Sequence, residues 1–397
     1  MSAVGITERL KSRMNIAIIR GPFLNKFEMQ SYEPLMKYHN ITAHYTNDNF
    51  FNVEDINIPK RKLRSLESSF GSHVSRLLKL PLHLAGHYYH MVGLEREFEL
   101  IDIAHTVETF YAFSYQAVKA KRKHRIKVVT TQWENIPFNH ESLPLARHIK
   151  NAVRKNTDLF VAVTEQAKNA LILEGVPSGK IVVIPMGVNL SKFRPSEKDE
   201  FYLSSLGLSR DDFIILFIGR LTWEKGIYDL IYAHNKLIKN RELYNRRIKL
   251  VIVGKGPAER QITKLTHELE ISTTVKLAGS YAYDKMDKIH NLADIFALPS
   301  IPTKHWQEQF GMALVEAMAC GKPLVSTLCG SIPEVVGESG ILVTPGNHLS
   351  LYKKLKELIA DESKRTELGR NARERAEEKY DAMTIATKLK DIYEKTW

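Results

Sequence analysis

The chain has 397 residues, 44% hydrophobic and 26% charged, with a net charge of +12. That length exceeds what one hydrophobic core usually serves, so two domains are expected, and the composition excludes disordered and collagen-like chains. No run approaches 18 uncharged apolar residues, and residues 1–14 carry charges but no apolar stretch, so neither a membrane helix nor a secretory signal is expected.

The first predicted strand is the short apolar run 15–20 (NIAIIR), ending at Gly21-Pro22. Runs 101–105, 127–131, 159–164 and 181–184 repeat it, with helical patterns at 110–123 and 145–156. Short apolar strands alternating with amphipathic helices describe a parallel sheet covered on both faces. Residues 187–211, with Pro195 and a charged stretch, break the rhythm. A second alternation follows through 213–219, 249–254, 274–277, 295–298 and 323–326. The expectation is an α/β chain of two doubly wound, Rossmann-like domains, 1–190 and 191–380, facing each other across a cleft. A last helix, 381–397, is expected to return to the first domain. Ligands of such sheets sit beyond the carboxyl ends of the strands, which directs attention to the residues just after each one.

The most informative of these stretches runs from Glu308 through Phe310 and Gly311 to Glu316, rich in helix formers. With a helix starting near Phe310, the amides of Gly311, Met312 and Ala313 have no intrahelical partner. With the helix dipole they make a seat for a diphosphate. Glu308 precedes the seat, within reach of a sugar. Glu316 lies about 9 Å further along, within reach of a ribose, whose two hydroxyls a carboxylate can hold. Taken alone, the pair also fits a helix-terminal charge and a structural residue. Arg220 and Lys225 in GRLTWEKG place two cations on the loop after a strand, suited to a diphosphate or to a solvated loop. Gly254, Gly256 and Pro257 form a glycine turn after another strand, by itself the mark of a tight connection.

In their order, GVPSGKIVVIPMGVNLSKF, GRLTWEKG, VIVGKGP, the Glu308–Glu316 stretch and PLVSTLCGSIPEVVGESG resemble the retaining family 4 glycosyltransferases, which have the GT-B fold. The resemblance is strong from about residue 158 onward and weaker before it. It implies a hexose-type sugar moved from a UDP- or GDP-linked donor to a glycan, lipid-linked or small-molecule acceptor, with the diphosphate as leaving group. Arg220 and Lys225 would neutralise that diphosphate and Glu308 would contact the transferred sugar; these three form the implied catalytic set. Glu316 would hold the ribose, the backbone of Phe310, Gly311, Met312 and Ala313 would lie beside the donor, and Gly254, Gly256 and Pro257 would lie near the base, with the loop after Gly279. No Asp-x-Asp element occupies a comparable strand end, so neither metal nor cofactor is implied. A leaving phosphate oxygen would take the acceptor proton.

The first half departs from the family pattern. A Gly-Gly element common in relatives is here Arg20-Gly21-Pro22-Phe23, and only Gly21 carries over, as a close backbone approach to the donor. Where many relatives have a histidine near the sugar, this chain has Gln132, in TQWEN. Glutamine donates to a hydroxyl but cannot take a full proton. That role falls to the phosphate itself or shifts to Glu134 or His105. The latter ends a predicted strand and is expected to face the cleft, though a structural histidine suits the place equally.

Residues 1–195 hold 27 Lys/Arg against 17 Asp/Glu, a net +10. That excess suits an anionic partner or simply solubility. Its clusters are Lys60-Arg61-Lys62-x-Arg64, followed by an amphipathic run 74–84, and the series from Lys119 to Lys127. They raise the expectation of reversible contact with an anionic inner membrane face, beside a lipid-linked acceptor. Two cysteines, Cys320 and Cys329, favour a reducing cytoplasm and are given no catalytic role. His83, His87 and His90 have helical spacing, but an aromatic helix face explains them better than a metal site. No aromatic-interleaved basic motif supports nucleic-acid binding, and no G-x-G-x-x-G follows the first strand, which argues against a dinucleotide dehydrogenase. The alternatives to a transferase are a nucleotide-sugar epimerase of the same fold and a non-catalytic nucleotide-sugar-binding protein.

Overall fold

The computed structural model describes residues 13–66 and 89–397. The first sheet takes β1 (Asn15–Gly21), β2 (Asn40–Thr46), β3 (Lys60–Ser65), β4 (Met91–Val92), β5 (Ile103–Val107), β6 (Lys127–Gln132), β7 (Leu159–Ala162) and β8 (Ile181–Val183). Its order is β4-β3-β2-β1-β5-β6-β7-β8, parallel except for the β3–β4 edge. The second sheet takes β9 (Phe213–Ile218), β10 (Ile248–Val253), β11 (Val275–Leu277), β12 (Ile295–Leu298), β13 (Leu324–Thr327) and β14 (Gly340–Val343). Its order is β11-β10-β9-β12-β13-β14, parallel throughout.

Strands such as β9 (FIILFI) and β12 (IFAL) are continuously apolar because helices cover both of their faces. Strand order reverses between β1 and β5 in the first sheet and between β9 and β12 in the second. Loops leaving those pairs diverge to opposite faces and open a crevice, the usual place for a ligand. Strands β2, β3, β4 and β14 escape the apolar-run reading. β2 carries Thr42 and His44, and β3 is the basic cluster itself, paired with β2 from Ala43↔Lys60 to Thr46↔Leu63. The run 74–84, together with His83 and His87, lies outside the described residues; His90 is described, with its Nε2 3.3 Å from Gln116 Nε2.

The first domain's main helices are α1 (Ala112–His124) and α2 (Pro144–Asn156). The second basic series closes the C-terminal turn of α1, where positive charge suits the helix dipole, and Lys121 Nζ is tied to Asp158 Oδ1 at 2.6 Å. The chain crosses between domains near Val188 and returns at Tyr380–Ala382, and the crossings pair: Val188 N donates to Tyr380 O at 2.7 Å and Ala382 N to Val188 O at 3.0 Å. The last helix then packs on the first domain's core through Ile385, Leu389 and Tyr393. Further bonds join the domains directly. Asn135 Nδ2 donates to Glu308 O and to Ser331 Oγ, each at 3.0 Å, and Glu165 N donates to Glu334 Oε1 at 2.8 Å.

Candidate active site

A cavity of about 370 Å³ lies between the domains at the carboxyl ends of the strands. Gly219, Tyr283, Met312, Ala313 and Glu316 line it from the second domain, and Asn25, Phe27 and Phe51 from the first. Its floor is helix α3 (Met312–Ala319), which starts two residues later than expected. Gly311, with φ 86°, turns the chain into it without a side-chain cap, and Leu314 N returns to Gly311 O. Met312 and Ala313 are thus the first-turn donors that the helix cannot itself satisfy. Phe310 is buried beneath them.

Lys225 ends a 3-10 turn after β9, and Gly226 follows with φ 70°. A Cβ at Gly226 would stand 1.8 Å from Pro299 O, so only glycine lets this loop lie against the loop leaving β12. That approach brings Lys225 Nζ to 2.8 Å from Glu308 Oε2 and 4.7 Å from the Trp306 ring centroid. Ser300 Oγ donates to the same Glu308 oxygen at 2.9 Å. Arg220 is drawn in less: its guanidinium pairs with Glu224 Oε1 at 2.9 Å, and its side chain is 62% exposed.

Glu316 is buried, with Oε1 accepting from Tyr283 OH at 2.6 Å and Oε2 3.1 Å from His290 Nε2. A carboxylate has about four lone-pair sites, so a diol can still be received. Burial, then the Glu316 charge, pushes the Tyr283 phenol well above its ordinary range. Gln30 Nε2 donates to Tyr283 OH at 2.8 Å, and Gln30 Oε1 accepts from Asn189 N at 2.8 Å. Glu316 is thereby wired through Tyr283 to the first domain and to the interdomain crossing. The sequence marked the loop after Gly279 but neither Tyr283 nor Gln30, since single polar residues in loops carry no spacing to recognise.

The glycines have structural reasons of their own. A Cβ at Gly254 would meet Gly219 O at 1.9 Å and one at Gly256 would meet Leu221 O at 2.3 Å, so both permit the close stacking of strand-end loops that Pro257 continues. Gly21 has φ 55°, and a Cβ there would meet the Phe113 ring at 2.7 Å.

His105 corrects the expectation that it faces the cleft. It stands within β5 rather than ending it, fully buried, with Nδ1 2.6 Å from Tyr393 OH and Nε2 2.7 Å from Thr131 Oγ1. Burial, then the nearby Arg20 charge, holds it well below the usual histidine range. It is a core residue tying the last helix to the first sheet. Gln132 and Glu134, by contrast, do sit at the end of β6. Gln132 Nε2 donates to Glu134 O at 3.2 Å. Glu134 accepts from Ile136 N at 2.9 Å and Asn139 Nδ2 at 3.0 Å, and His140 Nε2 is 3.4 Å away. Burial works to raise the Glu134 carboxyl, but these hydrogen bonds outweigh it and hold the group below its ordinary value.

Two facing doubly wound domains, with a cavity at the β9/β12 crevice, define a protein of the GT-B class. Comparison with known proteins extends this. Residues 198–375 match the family model described as glycosyl transferases group 1, and residues 42–192 the one described as glycosyltransferase family 4. An uncharacterised glycosyltransferase of Methanocaldococcus jannaschii is 31% identical over 222 residues, 55% of this chain and 54% of that protein. A D-inositol 3-phosphate glycosyltransferase of Streptomyces bingchenggensis is 30% identical over 229 residues, 55% of this chain and 49% of that one. The chain thus spans about half the length of the curated relatives it matches. Among solved structures, Anabaena HepE in complex with UDP-glucose aligns with a TM-score of 0.77 at 20% identity, covering 96% of this chain and 100% of that one. The chain belongs to the family 4, group 1 glycosyltransferases.

Proposed function

We propose that the chain is a retaining glycosyltransferase that moves a hexose-type sugar from a UDP- or GDP-linked donor to a glycan, lipid-linked or small-molecule acceptor. One observation carries this: Lys225 and Glu308, from different strand-end loops, meet at 2.8 Å beside the start of a helix whose second turn holds Glu316. This arrangement supports a diphosphate on the cation and the free amides, between a sugar beside Glu308 and a ribose beside Glu316. Lys225, Arg220 and the Met312 and Ala313 amides supply the positive field for the departing diphosphate, so the reaction proposed runs without metal or cofactor. The leaving oxygen takes the acceptor proton on the same face, preserving configuration. Catalytic roles go to Arg220, Lys225 and Glu308. Nucleoside binding goes to Glu316 and the strand-end loops of Gly254, Gly256 and Pro257. Gln132 and Glu134 face the sugar.

The HepE structures in complex with UDP and with UDP-glucose support the donor class. A thermal-shift panel of nucleoside diphosphates and nucleotide sugars tests it, because a tight ligand stabilises by mass action. Stabilisation by one nucleotide family followed by slow hydrolysis of its sugar conjugate is expected; no shift with any of them refutes the reading. The first domain's exposed Lys60, Arg61 and Lys62 support a further proposal, reversible docking on an anionic inner membrane face. No helix among the described residues is long and apolar enough to cross a membrane. Failure to cosediment with anionic vesicles at low salt ends the docking idea.

A further inference from the structure

The crevice of the first sheet, between β1 and β5, faces that of the second and carries polar atoms the donor seat leaves unused. Glu108 follows β5 with φ 60°, a left-handed conformation that is costly for a residue with a Cβ and concentrates at functional sites. It is only 5% exposed. Its Oε1 accepts from Trp133 N at 3.0 Å and Glu134 N at 3.1 Å, which staples the end of β5 to the turn after β6. Its Oε2 is buried and has no hydrogen-bond partner among the described residues. Gln132, on the same turn, is bonded through Nε2 to Glu134 O, and its Oε1 is likewise buried and unpartnered. Both side chains are anchored on the backbone of one residue, Glu134.

This turn also lies against the sugar end of the donor seat. The Trp133 ring packs edge-on against Phe310 at 6.0 Å, and Asn135 Nδ2 holds the Glu308 carbonyl at 3.0 Å. Burial, then the charge of Glu134, raises the Glu108 carboxyl to about 8 against the opposing pull of the Trp133 and Glu134 amides and, less, of Lys150. Tyr111 also faces it, and His140 lies beyond Glu134. At neutral pH Oε2 therefore bears a proton and donates, while the Gln132 amide oxygen only accepts. A hydroxyl, which accepts and donates at one oxygen, satisfies both; an ionised carboxylate or a phosphodiester, which only accepts, satisfies one.

We propose that Glu108 and Gln132 form a seat for one hydroxyl of the transferred sugar, Glu108 Oε2 donating to it and Gln132 Oε1 accepting from it. The inference rests on the glycosyltransferase reading and deepens it.

Calorimetry with UDP, UDP-glucose, GDP and GDP-mannose on the full chain tests it. Bare nucleotide reports the donor seat alone; the ratio of nucleotide-sugar Kd to nucleotide Kd reports the hydroxyl seat. E108A should leave UDP or GDP affinity intact and raise that ratio roughly 5- to 150-fold, the range for a buried group losing its partner. E108Q keeps an acceptor for the two amides and a donor for the hydroxyl, so it should restore the ratio to within about threefold, well short of the loss from a missing partner. In the wild type the ratio should also worsen as pH rises through about 8, where Oε2 loses its proton, and E108Q should lack this limb. Should E108A fold poorly, Q132A must raise the same ratio. An unchanged ratio in E108A or Q132A, or E108Q as weak as E108A, overturns the seat while nucleotide binding survives. Wild-type protein that binds neither nucleotide overturns the parent reading and the seat with it.

Discussion

Replacing Lys225 by alanine does two separable things. Its Nζ stands 2.8 Å from Glu308 Oε2, with the two side chains 17% and 9% exposed, so Glu308 loses a partner inside a largely buried site and, among the described residues, keeps Ser300 on that oxygen. Breaking one side of a buried pair costs about 3–5 kcal/mol; the partial exposure and the remaining hydroxyl bring the expectation down to about 2–3 kcal/mol. The second loss is kinetic. A preorganised donor aimed at developing charge is worth roughly 10²–10³ in kcat, or about 2.7–4 kcal/mol, because it acts on the transition state more than on the bound donor. The two are distinguished by a second substitution. In K225A/E308Q the glutamine needs no counter-charge, so urea unfolding should recover to within about 1 kcal/mol of wild type, the residue of one neutral hydrogen bond. Turnover of the donor should remain down by at least about 10². A well-folded K225A protein that turns over within a few-fold of wild type refutes the catalytic assignment.

Tyr283→Phe removes a donor to Glu316 and an acceptor for Gln30, one of the two bonds charge-assisted. It should lower stability by about 2–4 kcal/mol and loosen the domains, seen in solution scattering as a larger radius of gyration; unchanged scattering and melting would dismiss the cross-domain strut. His105→Leu should leave turnover of the folded protein unchanged and change its pH dependence. The buried imidazole is held well below its ordinary range, so between its folded value and about 6.5 the unfolded chain binds the extra proton. Wild-type stability therefore falls with acidification through that window, by about 1.4 kcal/mol per pH unit for this one group. The difference between wild type and H105L, which cancels the other titrating groups, should shrink toward low pH; a constant difference would place the imidazole charge elsewhere.

The second domain's candidate site was legible because its residues are contiguous in sequence. An anion seat needs a helix start, a glycine turn and a cation one loop away, and GRLTWEKG and Glu308–Glu316 spell these within short windows. Apolar runs marked most strands, since burial on both faces leaves no alternation to misread. The first domain reads less well for a physical reason. β2 holds a buried histidine, β3 is basic and largely exposed, and both gain their strand character only from pairing with neighbours distant in sequence. Glu108 and His105 are three residues apart on the same chain segment with opposite fates, one at a strand end and the other inside the strand. Nothing in IDIAHTVETF fixes that boundary, because Thr106 and Val107 extend the strand past the histidine.

The same asymmetry argues for where specificity resides. A diphosphate is the same object in every donor, so backbone amides and one or two cations recognise it, and the residues doing so recur as motifs. A sugar differs from its isomers only by the direction of single hydroxyls, and rejecting the wrong one requires buried polar atoms that are left unpaired when it binds. Buried atoms without a partner among the described residues are found at the ends of β5 and β6, on Glu108 and Gln132. These are the positions where the chain departs from its relatives' pattern or where no pattern was visible. A reversal of donor preference is therefore expected from substitutions at the 132–135 turn and Glu108 rather than from any at Lys225 or Glu316. Replacing the diphosphate or ribose contacts should weaken all donors alike. Changing the hydroxyl seat should reorder at least one pair of UDP-linked epimers, such as UDP-glucose against UDP-galactose or UDP-mannose, in a competition assay that holds the nucleotide constant.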